Sequence, residues 1–308
     1  MMKKRMVSFF ISLAICFSLI NTSIFAYGGE VADNIFLLEP KSEYQMAIEA
    51  TIKQAELQQD DSDENNKTPL DFFKEAFDER ANLSPEILED MGYTDDDICI
   101  LQSYSNGLCT FEEAATRASA MISSYFSCPI HNSDEYVVRY TWEWNKMPVN
   151  IGEDVFTLAY VGIDDQSQAL VSKVNDASAA VEYYYMSGTG SYCETEYCDV
   201  DGVDESVVAK FDMTKIDNLD AQWVWAKSGF ITASISPAVS TGEFSAVQVN
   251  GAYGHAEGNV AIEVTVTYSP ATGKVRIRFF VPSGDGTVTT LGDKEIIYYN
   301  DGTYDELI

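Results

Sequence analysis

Basic residues are scarce in this chain. Only 19 Lys and Arg stand against 49 Asp and Glu, which gives a formal net charge of −30 at pH 7. A negative field of this size repels phosphate backbones and anionic lipid, so it argues against binding to nucleic acid or to a membrane surface. It fits a solubilising surface, or attraction to cations and basic partners.

Histidine is scarcer still, since His131 and His255 are the only two in the chain. A serine or cysteine nucleophile would need one of them as its general base. No Gly-x-Ser-x-Gly turn is present to hold such a nucleophile. We therefore interpret both histidines as structural or surface residues.

The sequence also lacks a complete metal-binding pattern. Asp61, Asp63 and Asn65 resemble the first ligands of an EF-hand loop. However, Asn66 stands where that loop needs glycine, and Phe72 stands where it needs glutamate. We expect no metal and no cofactor, and we interpret this acidic stretch as a linker.

Cysteine is also uncommon, with six in the chain, of which Cys16 lies in the leader described below. Cys193 and Cys198 flank a loop-like stretch, and we expect them to form a disulfide, because exported proteins favour disulfides. Cys109 and Cys128 lie at opposite ends of a predicted helix and are too far apart to pair. Cys99 could meet either one, so one thiol should stay free. The alternative is a zinc site formed by Cys128, His131, Cys193 and Cys198. The spacing of Cys193 and Cys198 does not match a zinc ribbon, however.

The first 26 residues have the three parts of a secretory signal peptide. Lys3, Lys4 and Arg5 precede an apolar run over 6–20, and a short polar stretch then leads to Ala26. The run is about 15 residues long, whereas a membrane span needs about 20. No other segment of the sequence is apolar enough to span a membrane. We expect cleavage near Ala26 and a secreted, extracellular product.

The next part of the chain, 27–67, should hold one helix and the acidic linker. Tyr44, Ile48, Ile52 and Ala55 recur at helical spacing within 41–58, which predicts an amphipathic helix with these residues along its buried face. Residues 59–67 are polar and acidic, which is typical of a linker.

Residues 68–130 predict a small helical domain of four short helices. Thr68-Pro69 and Ser84-Pro85 open the first two, with proline at the position where its missing N–H has no cost. Thr94 and Thr110 each begin a capping box that opens one of the other two. We expect the fourth helix to carry apolar residues as far as Tyr125.

Residues 131–308 predict a mainly antiparallel β-sandwich, so the expected fold class is α+β. Apolar and polar residues alternate over 137–144, the period of a strand with one buried face. Further strands are predicted at 154–163, 178–186, 221–226, 229–236, 245–254, 260–268, 274–281 and 295–300. No helical crossover separates them, which favours a sandwich.

One hairpin can be predicted with its register. Pairing Val264 with Phe279, Val266 with Ile277 and Tyr268 with Val275 places all six apolar residues on one face. This register leaves 270–273 as a four-residue loop and turns Arg276 and Arg278 outward, opposite Thr267 and Thr265.

The Gly92 to Leu101 helix, the Tyr140–Trp144 strand and the Met147-Pro148 pair that follows resemble segments of uncharacterised secreted proteins of Gram-positive bacteria. The resemblance covers about 84–165 and, more loosely, 251–257. It implies exported helical-plus-β proteins and no particular activity.

We therefore expect an exported, non-catalytic binding or interaction protein with an extracellular or cell-wall ligand. Adjacent aromatic residues at 183–185, 223–225 and 298–299 could form a sugar-binding platform or could pack in the core. The competing function is a secreted hydrolase that uses two carboxylates on a glycoside or peptide substrate. With so many acidic residues, the sequence does not identify such a pair. A third possibility is a purely structural envelope protein.

Overall fold

A computed structural model describes 35–57, 67–186, 191–203, 205–217, 221–239, 242–258, 260–269, 274–282 and 286–307. The predicted leader at 1–26, most of the acidic linker and the hairpin loop at 270–273 lie outside the described residues.

Five helices occupy the first part of the described chain. They are α1 (Glu43–Leu57), α2 (Pro69–Ala81), α3 (Pro85–Asp90), α4 (Asp95–Ser105) and α5 (Phe111–Ala118). Thr94 and Thr110 each cap a helix through a capping box, as their spacing predicts, and Thr68 caps α2 in the same way. Phe73, Phe77 and Phe111 lie in ring contact and join α2 to α5.

The fourth helix predicted for 68–130 corresponds to α5, and the prediction that it reaches Tyr125 is wrong. The helix ends at Ala118, Ser119 is already extended, and strand β3 (Met121–His131) follows. Ile122, Phe126 and other apolar residues here fit both a helical and an alternating pattern. The alternating pattern prevails because β3 forms a long antiparallel ladder with the next strand. The boundary expected at 130/131 therefore falls inside a strand.

Seventeen strands form two large antiparallel sheets and a separate hairpin within the described residues. Besides β3 they are β1 (Ile35–Leu37), β2 (Lys41–Ser42), β4 (Tyr136–Trp144), β5 (Glu153–Ile163), β6 (Ala169–Leu170), β7 (Ser172–Tyr185), β8 (Tyr192–Cys198), β9 (Val200–Val203), β10 (Ser206–Asp212), β11 (Thr214–Ile216), β12 (Trp223–Pro237), β13 (Ala246–Glu257), β14 (Glu263–Ser269), β15 (Lys274–Phe280), β16 (Thr287–Tyr299) and β17 (Tyr304–Leu307). Sheet A has the order β1-β3-β4-β12-β7-β8, with β2 on β3 and β11 on β12; sheet B has the order β17-β16-β13-β5-β10-β9, with β6 on β5. The chain is thus α+β, with a β-sandwich preceded by helices.

The inner faces of the two sheets share one hydrophobic core with the helices. Trp142 of sheet A stacks on Phe211 and contacts Tyr253, both of sheet B, with ring centroids 5.1 and 4.9 Å apart. The sheets approach each other closely at Gly251, since a Cβ there would lie 2.7 Å from both Phe126 and Tyr140 of sheet A.

The outer face of sheet B is also buried, because the β14–β15 hairpin packs on it. Val155 and Ala252 of sheet B contact a cluster that includes Phe279 of the hairpin. The hairpin has the register that its alternation predicts, with Val264 opposite Phe279 and Tyr268 opposite Val275. As a result β5 and β13 are buried on both faces along most of their length.

Candidate functional site

The largest group of buried ionisable side chains surrounds His255, on β13. Its Nδ1 lies 2.9 Å from Asp154 Oδ2 on β5, and its Nε2 lies 3.3 Å from Glu43 Oε1 on α1. All three residues are 0% exposed. With a carboxylate at each ring nitrogen, His255 makes both hydrogen bonds only as an imidazolium, which carries two N–H groups.

Electrostatics agrees with this protonation state. Burial by itself would lower the pKa of His255, but the charges and hydrogen bonds of Asp154 and Glu43 outweigh it and hold the pKa well above its usual value. Asp154 also accepts hydrogen bonds from the Tyr253 hydroxyl and from the Ala256 backbone N–H.

Glu43 reaches this site because it is the first residue of α1. Ser42 and Gln45 form reciprocal hydrogen bonds at the helix start, which fixes where the helix begins. The Glu43 carboxylate accepts the backbone N–H groups of Val149, at 2.9 and 3.0 Å, and of Asn150, at 3.1 Å. A carboxylate in a first helical turn is also favoured by the helix dipole.

Glu257 completes what we call the buried ionic cluster, which consists of Glu43, Asp154, His255 and Glu257. Glu257 is 0% exposed and accepts hydrogen bonds from Asn150 and Thr289. Burial, together with the nearby charges of Glu43 and Asp154, raises the pKa of Glu257 to about 8 against the opposing charge of His255. Glu257 is therefore mostly neutral at pH 7, and the cluster holds one cation between two anions.

The segment 145–150 crosses over this cluster and is held from its other side. Arg80 donates to the carbonyls of Met147, at 3.3 Å, and Pro148, at 2.8 Å. Lys146 pairs with Asp97 at 2.8 Å and is only 4% exposed. Side chains from α1, α2 and α4 thus fix this segment against the sandwich.

The cluster contains the elements of acid–base chemistry, but a substrate cannot reach them. The Asp154–His255 pair has the geometry of a general base and its orienting carboxylate. Both side chains are fully buried, and a shallow depression of about 320 Å³ nearby is lined by other residues, among them Gly152, Glu153 and Asp212. We therefore interpret the cluster as a device that fixes α1 and the segment 145–150 to sheet B.

Sequence reasoning missed this cluster, although part of a signal was present. Tyr253, His255 and Glu257 continue the alternation of Val247 and Val249, which places them on the inner face of sheet B. Glu43 had no such signal. The predicted face of its helix is right only in part: Tyr44 packs on Phe73, but Ile52 is 55% exposed, and Met46 and Ala47 are buried instead.

The other feature of interest is a row of side chains on the outer face of sheet A, of which all but Ala180 are at least partly exposed. Antiparallel pairing aligns one residue from each of six neighbouring strands, and directly opposed residues share a face. The members of this cross-strand row, in order, are Leu37, Tyr125, Thr141, Phe230, Ala180 and Tyr197. Its two ends are the most exposed, with Leu37 at 64% and Tyr197 at 75%.

Polar side chains flank the cross-strand row on both sides. One flanking row contains Thr195, Glu182, Ser228, Glu143 and Ser123. The other contains Ser178, Thr232, Arg139 and Ser127. The Arg139 guanidinium lies 4.3 Å from the centre of the Phe230 ring.

The structure does not bring the predicted disulfide partners together. Cys193 and Cys198 both lie in β8, and both are free thiols. Five residues of extended strand separate Cα atoms by about 16 Å, whereas a disulfide needs less than about 7 Å. Cys193 instead lies beside Glu194 and Asp217, with one potential metal-ligand atom of each within 4.8 Å of the others. The Lys215 ammonium, 2.8 Å from Glu194, already neutralises part of this group.

The aromatic runs divide between the core and the surface. Trp225, Tyr183 and Tyr298 are buried, and Trp223 is 54% exposed. His131, in contrast to the buried His255, is partly exposed and lies with its Nδ1 3.2 Å from the Asn300 carbonyl.

Comparison with known proteins gives little guidance. No protein-family model matches the chain, and no curated protein matches it. A solved structure described as "AvmM Catalyzes Macrocyclization in Alchivemycin A Biosynthesis" is similar over 56% of this chain and 89% of its own, with 9% sequence identity and a TM-score of 0.23. A likeness this low supports no argument about function. Among the residues that the structure describes, no helix is long and apolar enough to cross a membrane.

Proposed function

We propose that the protein is exported and works outside the cell as a non-catalytic binding protein, with the outer face of sheet A as its binding surface. One observation carries this proposal. The cross-strand row has an exposed side chain at each end, Leu37 and Tyr197, and partly exposed rings of Tyr125 and Phe230 between them, on a face that no described element covers. The equivalent face of sheet B is buried by a hairpin.

The test is retention on cell-wall material. Purified protein should cosediment with washed cell walls of Gram-positive bacteria, and replacing both Tyr125 and Tyr197 with alanine should abolish most of the retention. Leu108→Ala is the matched control, because Leu108 is 79% exposed on the turn between α4 and α5, away from sheet A. Equal retention of all three proteins would contradict the proposal.

Export has its own test. The leader at 1–26 supports secretion, so the mature protein should be found in the medium or the cell wall, with Tyr27 as its first residue. A cytosolic protein that keeps its first residues would refute this part of the proposal.

A secreted hydrolase remains the second candidate, because one pair of carboxylates lines an open depression. Glu153 of β5 and Asp212 of β10 are direct cross-strand partners at the depression of about 320 Å³. Hydrolysis of polysaccharide or peptide panels that is lost in both Glu153→Gln and Asp212→Asn would favour this function. In the non-catalytic proposal, both variants keep full wall retention.

A further inference from the structure

The cross-strand row also indicates a class of ligand. We propose that it binds a neutral polysaccharide in an extended conformation, with the sugar chain lying across the strands of sheet A. This inference rests on the proposed function, since it names the ligand of the same surface.

The spacing of the rings is the first argument. Tyr125, Phe230 and Tyr197 belong to β3, β12 and β8, so each ring is separated from the next by one intervening strand. Neighbouring strands are about 4.8 Å apart, which places successive rings about 10 Å apart. Two hexose units of an extended chain span a similar distance. The full row, from β1 to β8, is about 24 Å long, enough for several sugar units.

The second argument is the shape of the apolar surface. A typical protein interface has a central apolar patch surrounded by a polar rim. Here the apolar side chains follow one line, interrupted by Thr141, and the flanking rows carry hydroxyl, carboxylate and guanidinium groups except at Ile35, the partner of Ser127 at one end. A sugar chain has matching chemistry, because the C–H faces of its rings can stack on aromatic side chains while its hydroxyl groups point to the sides.

The third argument is charge. The chain carries a net charge of −30, yet the two flanking rows carry two carboxylates, Glu143 and Glu182, and one cation, Arg139, and Lys227 at the bulge of β12 beside Ser228 adds a second cation. Lys227 lies 3.7 Å from Glu143, over the Tyr184 ring on the same face. A locally neutral surface on a strongly acidic protein suits a neutral ligand, because anionic polymers are repelled by the field of the whole molecule.

Affinity gel electrophoresis of the full-length protein tests the inference. Hydroxyethyl cellulose and xylan are the extended neutral probes, glycogen is a neutral probe with coiled chains, and polygalacturonate is an anionic probe. We expect retardation by one or both extended probes, little by glycogen and none by polygalacturonate.

Variants then locate the binding site. Tyr125→Ala, Phe230→Ala and Tyr197→Ala should each weaken binding about three- to tenfold, the range expected for loss of one aromatic contact. The double variant of the two tyrosines should weaken it more than either single one, and Leu108→Ala should bind like the wild type. Urea unfolding of each variant confirms that it is folded.

The outcomes separate this inference from the proposed function. No retardation by either extended probe, or retardation that survives in the double variant, would overturn the polysaccharide ligand. If cell-wall retention still depended on Tyr125 and Tyr197, the binding function would stand and its ligand would be an anionic polymer or a protein. If retention did not depend on them, both would fail.

Discussion

The two sheets of the sandwich use their outer faces differently. In sheet B the β14–β15 hairpin covers the outer face of β5 and β13, and the ionisable residues of their inner face, Asp154, His255 and Glu257, have partners inside the protein. In sheet A the outer face keeps partly exposed rings, hydroxyl groups and balanced charges. We expect the buried polar residues on sheet B to serve stability, and the proposed binding function assigns those on the outer face of sheet A to contact with a ligand.

The strongest test of this contrast is to remove a partner from the buried ionic cluster. Asp154→Ala leaves the His255 imidazolium, the Tyr253 hydroxyl and the Ala256 N–H without their acceptor. We expect a loss of about 3–5 kcal/mol in the free energy of unfolding, measured with urea. Asp154→Asn keeps an acceptor oxygen, so its free energy of unfolding should fall by less. This variant replaces Asp154→Ala in the measurement if the alanine variant does not fold.

Glu75→Ala is the matched control for this loss. Glu75 forms an exposed ion pair with Lys67 at 2.7 Å, and its removal should cost less than about 1 kcal/mol. Similar losses for Asp154→Ala and Glu75→Ala would show that the cluster does not stabilise the fold.

The buried ionic cluster should also determine how the stability of the protein depends on pH. Both His255 and Glu257 have raised pKa values, so the folded state binds more protons than the unfolded state. The stabilisation from His255 is complete below its unfolded pKa of about 6.5 and is lost as the pH rises through its higher folded value. Burial of Glu257 also lowers the free energy of unfolding, by an amount that grows as the pH rises from about 4.5 to about 8.

Both effects lower stability as the pH rises. We expect the free energy of unfolding to fall by a few kcal/mol from mildly acidic to mildly alkaline pH, as measured by urea unfolding at each pH. Glu257→Gln should make this decrease smaller, whereas Glu263→Gln, at an exposed position, should leave it unchanged. A stability that rises over this range would contradict the protonation states assigned to the cluster.

Most of the local structure could be predicted from the sequence. The helix starts at Thr68, Thr94 and Thr110 depend on residues only three positions apart, and the β14–β15 register depends on alternation on either side of one loop. The fourth predicted helix, α5, was predicted too long because Ala118, Met121, Ile122 and Tyr125 recur at helical spacing, whereas Ile122 and Phe126 also share one face of a strand, and only pairing with β4 decides between the two periods.

The sites depend on long-range pairing, which the sequence does not display. Asp154 and His255 are 101 residues apart in the sequence and Glu43 and His255 are 212 apart, and no local pattern links them. The cross-strand row needs the register of six strands, drawn from 35–37 at one end and 192–198 at the other. The disulfide prediction failed for a local reason, since the stretch between Cys193 and Cys198 is a strand rather than a loop.

A smaller effect tests how closely the inner faces approach each other. In Gly251→Ala the new Cβ would lie 2.7 Å from the rings of Phe126 and Tyr140, which are buried and cannot move away freely. We expect a loss of about 1–3 kcal/mol in unfolding free energy. Gly202→Ala on β9, where a Cβ meets nothing within 4 Å, should change stability little. Equal effects would mean that the sheets pack less closely at Gly251 than this geometry requires.

The smallest expected change in stability is for a substitution on the outer face of sheet A. Tyr197 is 75% exposed at the edge of sheet A, so Tyr197→Ala should change the free energy of unfolding by less than about 0.5 kcal/mol. A loss above about 2 kcal/mol would mean that this ring stabilises the fold, and its exposure would then need no ligand. If stability is unchanged while cell-wall retention falls, the ring is maintained at the surface for contact with another molecule, which is what separates sheet A from sheet B.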